Sequence, residues 1–293
     1  MCDDQTLAEM NAADMDAATT VTRRRFTGLV GAAAAVAGCS GGTAFAAKGK
    51  LTEAMVAITT PDGTCDAFFV HPAKGKAPGV ILWPDIGGLR DAFKEMARRL
   101  AGHGYAVLAV NHYYRGAKAP VLASFAEWRT PEGQAKITPL TKQVNPATIA
   151  TDTAAFVAWL DQQKAVNTRR GIGTQGYCMT GPWTVRAAAM AAARIGAAAS
   201  FHGGGLVTQA PDSPHLLLGQ TKARFLFAIA KNDDTRAPTD KDTLKAAATA
   251  AQREAEVEVY GGDHGWTVLD SPVYNQGEAA RAFQRMLALY AKL

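Results

Sequence analysis

Cysteine 178 stands in a sequence context that could make it a nucleophile. Residues 176–181 read Gly-Tyr-Cys-Met-Thr-Gly, after a strand-like run and before a helix-like one. A nucleophile elbow needs this context, because a sharp strand-to-helix turn exposes the nucleophile above the sheet. Glycines occur in such turns because the backbones pass too closely for side chains. The segment alone would also fit a small buried cysteine, since free cysteines are usually buried and inert.

Two later segments supply the partners that a nucleophilic cysteine needs. Lys-Asn-Asp-Asp-Thr-Arg follows the apolar run 224–230, and Gly-Gly-Asp-His-Gly-Trp follows the run 256–260. The nucleophile, the acid and the histidine therefore each follow a strand-like run, in the chain order of α/β-hydrolases. We predict a catalytic triad of Cys178, an aspartate and His264.

Two neighbouring aspartates compete for the position of the acid. Asp233 lies three residues after Ala230, at the end of the strand-like run, whereas counting back from Pro238 favours Asp234. We prefer Asp233, because a strand fixes where its loop begins and loops absorb insertions. Both aspartates remain open from the sequence.

The predicted chemistry is acyl transfer through a thiol. A thiol must lose its proton to become a strong nucleophile, and a histidine beside the sulfur can take that proton. The aspartate would orient the imidazole and stabilise its charge. The attacked carbonyl becomes an oxyanion, for which the backbone N–H groups of Met179 and Ile86 are the expected donors.

The chain resembles the dienelactone hydrolase family, which are α/β-hydrolases with a Cys-His-Asp triad. The resemblance covers roughly residues 50–293, and it rests also on Gly-Val-Ile-Leu-Trp-Pro-Asp-Ile-Gly-Gly-Leu at 79–89 and Ala-Arg-Arg-Leu-Ala-Gly-His-Gly-Tyr-Ala-Val at 97–107. Two positions depart from it. Thr180 replaces the usual glycine of the elbow. Asp85 stands where the family usually has a glutamate that holds the resting cysteine, and aspartate is one methylene shorter.

Four residues form the expected substrate-binding group: Asp85, Arg115, His202 and Trp266. The resemblance implies that Arg115 could meet a substrate carboxylate, although an exposed surface arginine explains it equally well. His202 begins a His-Gly-Gly-Gly segment that follows the nucleophile, so it is not the oxyanion motif of lipases. It follows the sixth strand-like run, which predicts a wall of the pocket; a loop histidine is the alternative.

The pattern of apolar runs predicts an α/β-hydrolase fold with three α/β/α layers and a mostly parallel eight-stranded sheet. Pro-Asp-Gly-Thr between the first two runs predicts a hairpin. Residues 112–147 show no clear period, and we expect an irregular segment that either covers the active site or is a plain surface excursion. The strand-like runs are 55–60, 66–71, 79–84, 105–111, 171–177, 197–201, 224–230 and 256–260. The helix candidates are 89–103, 148–163, 181–194, 240–253 and 277–292.

Composition excludes several classes of protein. The hydrophobic content of 48% supplies a core, and 19% charged residues are too few for a disordered chain. The net charge is +5, but the basic residues are scattered without interleaved aromatic residues, so we expect no nucleic-acid partner. The six histidines show no metal-ligand spacing, and we expect neither a metal nor another cofactor. The sequence does not indicate an oligomeric state.

The N-terminal 46 residues read as an export leader ahead of a catalytic domain at 47–293. Thr-Arg-Arg-Arg-Phe at 22–26 resembles a twin-arginine signal, an apolar run follows at 29–37, and Ala-Phe-Ala at 44–46 fits a cleavage site. The run is too short to span a membrane, which takes ~20 apolar residues. Val-Ala-Gly-Cys at 36–39 also resembles a lipoprotein box, with Cys39 as the lipidated residue.

Together these patterns predict an exported, periplasmic cysteine hydrolase that opens a lactone or cleaves a small ester. A thioesterase of the same fold, or a homologue that binds a small molecule without catalysis, are the alternatives. Leader cleavage would leave two cysteines, Cys65 and Cys178, which should not be bridged if Cys178 is catalytic.

Overall fold

Eight strands lie in the part of the chain that the computed structural model describes, residues 49–293. They are β1 (Leu51–Thr60), β2 (Gly63–Pro72), β3 (Gly79–Trp83), β4 (Ala106–Val110), β5 (Ile172–Tyr177), β6 (Ile195–Phe201), β7 (Arg224–Ala230) and β8 (Ala255–Tyr260). They form one sheet in the order β1-β2-β4-β3-β5-β6-β7-β8. The pairs β1–β2 and β2–β4 are antiparallel and the other neighbours are parallel, so the sheet is mostly parallel, as predicted.

Helices cover both faces of the sheet. They are α1 (Asp91–Ala101), α2 (Phe125–Trp128), α3 (Pro131–Thr141), α4 (Pro146–Gln162), α5 (Gly181–Met190), α6 (Lys231–Arg236), α7 (Asp240–Ala250) and α8 (Gln276–Tyr290). Successive strand residues point to opposite faces. Ile81 of β3 packs in one buried cluster with side chains of α4, α5 and α7, whereas Val80 and Leu82 pack in a second cluster with side chains of α1 and α8. The predicted three-layer α/β/α architecture is therefore present.

Burial explains why the central strands read as continuous apolar runs. All five residues of β3 and all five of β4 are buried, because helices cover both faces of a parallel sheet. The predicted hairpin between β1 and β2 is confirmed. Thr60 pairs with Gly63, so Pro61 and Asp62 form a two-residue turn.

The segment 112–147 is more regular than predicted, since it contains α2 and α3 and ends where α4 begins. The side chain of Thr130 caps α3 by accepting the N–H of Gly133 at 3.1 Å. A Cβ atom on Gly133 would lie 1.8 Å from the carbonyl oxygen of Glu127, so α2 and α3 meet at a position that only glycine can occupy. Helices this short, with a proline inside α3, show no amphipathic period, and the pattern therefore missed them.

The strand register brings distant loops together at one edge of the sheet. Tyr177 at the end of β5 pairs with Phe201 at the end of β6, and Ala230 at the end of β7 pairs with Tyr260 at the end of β8. The residues that follow these strands therefore leave the sheet at the same edge, where open α/β sheets bind ligands.

The predicted leader, including Cys39, and the domain boundary at 46/47 lie outside the described residues. Between residues 49 and 293, no helix is long and apolar enough to cross a membrane.

Candidate active site

Cys178 occupies a strained turn between β5 and α5. Its φ is +57°, in the left-handed region that residues other than glycine seldom adopt, and its side chain is 8% exposed. Such strain costs of order 1–3 kcal/mol and persists only where the surroundings fix it. A strained nucleophile at a strand-to-helix turn is the geometry of a nucleophile elbow.

Thr180 fits the elbow despite replacing a glycine. Its hydroxyl accepts the N–H of Tyr177 at 2.7 Å and lies 2.9 Å from the carbonyl oxygens of Trp83 and Tyr177, so it has an acceptor for its own proton. The remaining glycines have no room for side chains. A Cβ atom on Gly176 would lie 2.2 Å from the Thr180 carbonyl oxygen, and one on Gly181 would lie 2.5 Å from Cα of Gly203. The turn is thus fixed by one buried hydroxyl and by close backbone packing.

The structure places Asp233 beside His264. Oδ2 of Asp233 lies 2.7 Å from Nδ1 of His264, and Oδ1 of Asp233 accepts a hydrogen bond from Arg236. Asp234 instead forms an ion pair with Lys241, with both oxygens within 2.9 Å of Nζ. Asp233 lies in α6, a helical turn where the sequence predicted a loop, and this turn separates the two carboxylates.

Asn232, which the sequence reasoning missed, fixes the backbone of the histidine loop. Its Oδ1 accepts the N–H of His264 at 2.8 Å. The main chain adds a second contact, because the N–H of Lys231 donates to the carbonyl oxygen of Gly262 at 3.1 Å. The helical turn after β7 thus holds both the ring and the backbone of His264.

The peptide groups on either side of Ile86 are held in place, which suits an oxyanion donor. The carbonyl oxygen of Asp85 accepts the N–H of Gly88 at 3.0 Å, and this fixes the peptide that carries the N–H of Ile86. The carbonyl oxygen of Ile86 accepts the hydroxyl of Tyr113 at 2.9 Å, and the N–H of Gly87 donates to Oδ1 of Asp85 at 2.8 Å. A donor that needs no reorganisation is what stabilises an oxyanion best.

Met179 is the middle residue of the 3₁₀ turn Cys178–Thr180, which leads into α5. The first N–H groups of a helical segment have no partner within the helix, so they point outward as donors. The hydroxyl of Tyr113 also lies 3.6 Å from the Met179 sulfur. Tyr113 therefore contacts both residues predicted to form the oxyanion hole.

His202 lies directly behind the elbow and not on a pocket wall, because it is only 1% exposed. Its Nδ1 accepts the N–H of Cys178 at 3.1 Å, and its Nε2 lies 3.0 Å from Oγ1 of Thr267. The ring centroids of His202 and His264 are 4.9 Å apart. Burial and then the neighbouring His264 lower the pKa of His202 well below its ordinary value.

Comparison with known proteins places this chain in a family. The model of the dienelactone hydrolase family matches residues 65–293. The chain belongs to the dienelactone hydrolase family. A Synechocystis protein provisionally named carboxymethylenebutenolidase is 30% identical over 241 residues, which cover 80% of this chain and 95% of that protein. A Salmonella typhi protein with the same provisional name is 24% identical over 257 residues, covering 83% and 88% of the two chains.

Solved structures show the same fold. A Klebsiella pneumoniae protein, provisionally described as a dienelactone hydrolase, superposes with a TM-score of 0.71 at 22% identity. The superposition covers 83% of this chain and all of that one. The present chain is therefore a hydrolase of the dienelactone hydrolase type with the α/β-hydrolase fold.

Asp85, at the position where family members usually have a glutamate, is engaged by an arginine. Arg90 donates to Oδ1 of Asp85 at 2.6 Å and to Oδ2 at 3.1 Å, and both side chains are buried. Arg90 also binds both oxygens of Asp270 at 2.8 Å, and Asp270 accepts the N–H of Phe125. Burial alone would raise the pKa of Asp270, but Arg90 lowers it overall. These contacts argue against the predicted contact of Asp85 with substrate, since both its oxygens are taken.

Arg90 instead connects three parts of the chain. Asp85 lies on the loop after β3, Asp270 on the loop that carries His264, and Phe125 at the start of α2. The segment 112–147 is thus tied to the active-site edge at Phe125. The sequence could not reveal this network, because 180 residues separate Arg90 from Asp270.

Two further substrate-binding predictions are not supported by the positions of the side chains. Trp266 is fully buried, with its ring against His202 at 5.2 Å and stacked on Tyr260 at 5.3 Å, so it supports the site from behind. The guanidinium of Arg115 forms ion pairs with Asp62 and Asp152 at 2.6 and 2.7 Å. Arg115 therefore ties the β1–β2 hairpin to α4, and its charge is balanced without a substrate.

Metal binding and disulfide formation are two other roles that the site residues could have. Among residues 49–293, no group of three or more His, Cys, Asp or Glu side chains is arranged to hold a metal ion. Cys65 and Cys178 are both buried and are not joined by a disulfide. Burial, and then the charges of Asp152 and Asp66, raise the pKa of the Cys65 thiol far above its ordinary value.

Proposed function

We propose that this chain hydrolyses a small ester or lactone through an acyl-cysteine intermediate on Cys178. The observation that carries the proposal is the 2.7 Å contact between Asp233 and His264 at the same sheet edge as the strained Cys178 turn. A nucleophile, a base and an orienting acid at that edge form the set that acyl transfer needs.

In the first half of the reaction, His264 takes the proton of the Cys178 thiol and the sulfur attacks the substrate carbonyl. The carbonyl oxygen becomes an oxyanion that accepts hydrogen bonds from the N–H groups of Met179 and Ile86. The intermediate collapses by breaking the C–O bond, and the departing alkoxide takes the proton from His264. The product is a thioester on Cys178 and an alcohol, which in a lactone remains part of the acyl chain.

In the second half, His264 takes a proton from water, and the hydroxide attacks the thioester carbonyl. The same two N–H groups hold the second oxyanion. The C–S bond then breaks, the acid leaves, and the thiolate regains the proton from His264. Asp233 keeps the proton of His264 Nδ1 in place throughout, so that Nε2 exchanges protons with the reacting groups.

The direct test uses the purified full-length chain with p-nitrophenyl acetate, a dienelactone and an acyl thioester. We expect turnover of the ester and of the lactone, and none by Cys178→Ala. A kcat/KM that is at least about 100-fold higher for the thioester would favour a thioesterase. No turnover of any of the three would favour a homologue that binds a ligand without catalysis.

We also propose that the protein is exported by the twin-arginine route, on the sequence of residues 22–26. This route carries folded proteins, so Cys178 would be packed in its elbow before it meets an oxidising compartment. Arg23→Lys with Arg24→Lys should keep the precursor in the cytoplasm, whereas the unmutated chain should appear outside it with an N-terminus near Ala47. A diacylglyceryl group on Cys39 would show a lipoprotein instead, and unprocessed cytoplasmic protein in its own host would exclude both routes.

A further inference from the structure

His202 transfers no proton in the proposed reaction, yet both its ring nitrogens are committed to the active site. Nδ1 faces the N–H of Cys178 at 3.1 Å, and Nε2 faces Oγ1 of Thr267 at 3.0 Å. The side chain is buried, so neither contact is replaced by solvent without local opening. A buried imidazole with a hydrogen bond at each ring nitrogen restricts the positions of both partners.

The partner of Nδ1 determines the tautomer of His202. A backbone N–H can only donate, so Nδ1 must carry a lone pair and the ring proton must lie on Nε2. The hydroxyl of Thr267 is the acceptor for that proton. A proton added to Nδ1 would face the N–H of Cys178 and remove its acceptor, so the contact exists only with a neutral ring.

The position of His202 follows from the strand register. Tyr177 and Phe201 pair at the ends of β5 and β6, so Cys178 and His202 are the next residues on two adjacent strands. Both have left-handed backbones, with φ values of +57° and +40°. The following turn also holds the other side of the nucleophile, because the N–H of Gly204 lies 3.4 Å from the Cys178 carbonyl oxygen.

We propose that His202 is a positioning residue: its neutral imidazole accepts the N–H of Cys178, holds the left-handed turn that aims the nucleophile, and connects this turn through Thr267 to the loop of His264. This role rests on the proposed function where it is tested by the rate of hydrolysis. The hydrogen bond between His202 and Cys178 is present whether or not the chain hydrolyses an ester.

The groups around His202 favour the neutral ring. From β5 and its turn it faces the phenol of Tyr177 and the thiol of Cys178, and from the loop after β8 it faces His264. Asp233 stands behind His264, while Trp266 and Thr267 carry no charge. A positive His264, which arises each time it takes a proton, therefore opposes protonation of His202.

Two substitutions distinguish the effect of the Nδ1 acceptor of His202 from the effect of its aromatic ring. His202→Phe keeps an aromatic ring of similar size and removes the acceptor. His202→Asn restores an acceptor oxygen near the Nδ1 position, cannot titrate, and tolerates a left-handed backbone. We expect His202→Phe to lower kcat about 10- to 100-fold with KM changed less than about threefold. His202→Asn should recover at least about half of that loss on a logarithmic scale. His71→Phe on β2 is the matched control and should leave kcat unchanged.

Two measurements remain informative if the chain hydrolyses no ester, so failure of this inference can be told from failure of the proposed function. Two-bond ¹H–¹⁵N spectra of ¹⁵N-histidine-labelled wild type at neutral pH should show His202 as the neutral Nε2–H tautomer, because the N–H of Cys178 donates to its Nδ1. Alkylation of Cys178 by iodoacetamide should slow in His202→Phe and recover in His202→Asn.

Three results would overturn the inference. They are an Nδ1–H tautomer, a folded His202→Phe with wild-type kcat and alkylation rate, and an equal loss in both variants. If His202→Phe does not fold, the spectra and the asparagine variant still decide it.

Discussion

Nδ1 of His264 lies 2.7 Å from Oδ2 of Asp233, although 31 residues separate them in the chain. The relationship follows from the parallel pairing of β7 with β8, whose last residues, Ala230 and Tyr260, are partners. The Nδ1–H group donates a hydrogen bond to the carboxylate, so the basic lone pair of the neutral ring lies on Nε2. This arrangement distinguishes the two aspartates that the sequence could not separate.

Replacing the two aspartates should have unequal effects. Asp233→Asn should lower kcat by about 10³- to 10⁴-fold, because an amide neither selects the Nδ1–H tautomer nor balances the imidazolium charge. Asp234→Asn removes a partly exposed ion pair with Lys241 and should cost at most about 1 kcal/mol of stability. Steady-state kinetics and urea unfolding of both variants provide the check. A greater loss of kcat in Asp234→Asn would contradict the assignment.

Tyr113→Phe should impair the proposed oxyanion hole without unfolding the protein. The hydroxyl that it removes fixes the Ile86 carbonyl at 2.9 Å, and one misplaced donor can cost 10²-fold or more, so we expect kcat to fall about 10-fold. Tyr114→Phe is the matched control. Its hydroxyl contacts Thr60 and Asp152, so its loss should reduce stability and leave kcat close to wild type. Equal kcat values in the two variants would argue against this role for Tyr113.

His112→Leu should make the protein more resistant to acid. His112 is buried against Tyr113 and Trp183, and neither ring nitrogen has a hydrogen-bond partner. Burial lowers its pKa to about 3. The folded-state pKa is thus below the unfolded value of about 6.5, so this histidine contributes no pH dependence above pH ~6.5. Between that pH and about 3 the unfolded chain binds a proton that the folded chain does not, and stability falls by about 1.4 kcal/mol per pH unit.

Urea unfolding at pH 7 and pH 5 measures this effect. His112→Leu should lose about 2 kcal/mol less than wild type between the two pH values, by the same linkage. His202 also has a lowered pKa and the same sign, so some acid sensitivity should remain in the variant. An unchanged loss of stability would show that His112 is protonated in the folded protein near pH 5.

The two buried cysteines should react at different rates with iodoacetamide. Burial raises the pKa of Cys65, and its sulfur lies 3.5 Å from the carbonyl oxygens of Asp66 and Asn111. Cys178 lies in the elbow as the proposed nucleophile of the triad, where His264 can deprotonate it. Peptide mapping after brief alkylation should find Cys178 labelled first. Faster labelling of Cys65 would mean that the elbow thiol is not activated.

The strands of the sheet were predictable because each one has a signal within its own short stretch of sequence. Buried strands such as β3 read as short apolar runs, and the first turn signal, Pro61-Asp62, reads as a hairpin. Motifs after three of these strands then indicated the elbow, the acid and the histidine. Boundaries differed by a few residues, as for β1, which begins at Leu51 although the pattern placed it at 55.

The environment of each site residue was not predictable, because it depends on contacts between distant segments. Arg115 reads as a free cation in the sequence, but folding places it between Asp62 and Asp152. Trp266 reads as part of the histidine motif, but folding buries it behind His202. Thr180 reads as a disturbed elbow, yet its hydroxyl finds both a donor and an acceptor. Spacing in one sequence contains no signal for such partners.

Acylation of Cys178 tests the central claim most directly. The protein is mixed with p-nitrophenyl acetate, quenched in acid within the first turnover, digested and analysed by mass spectrometry. We predict one acetyl group on the peptide that contains Cys178, released again on longer incubation of wild type and retained longer in Asp233→Asn. Steady turnover with no acyl group on Cys178, together with an active Cys178→Ala variant, would contradict the account.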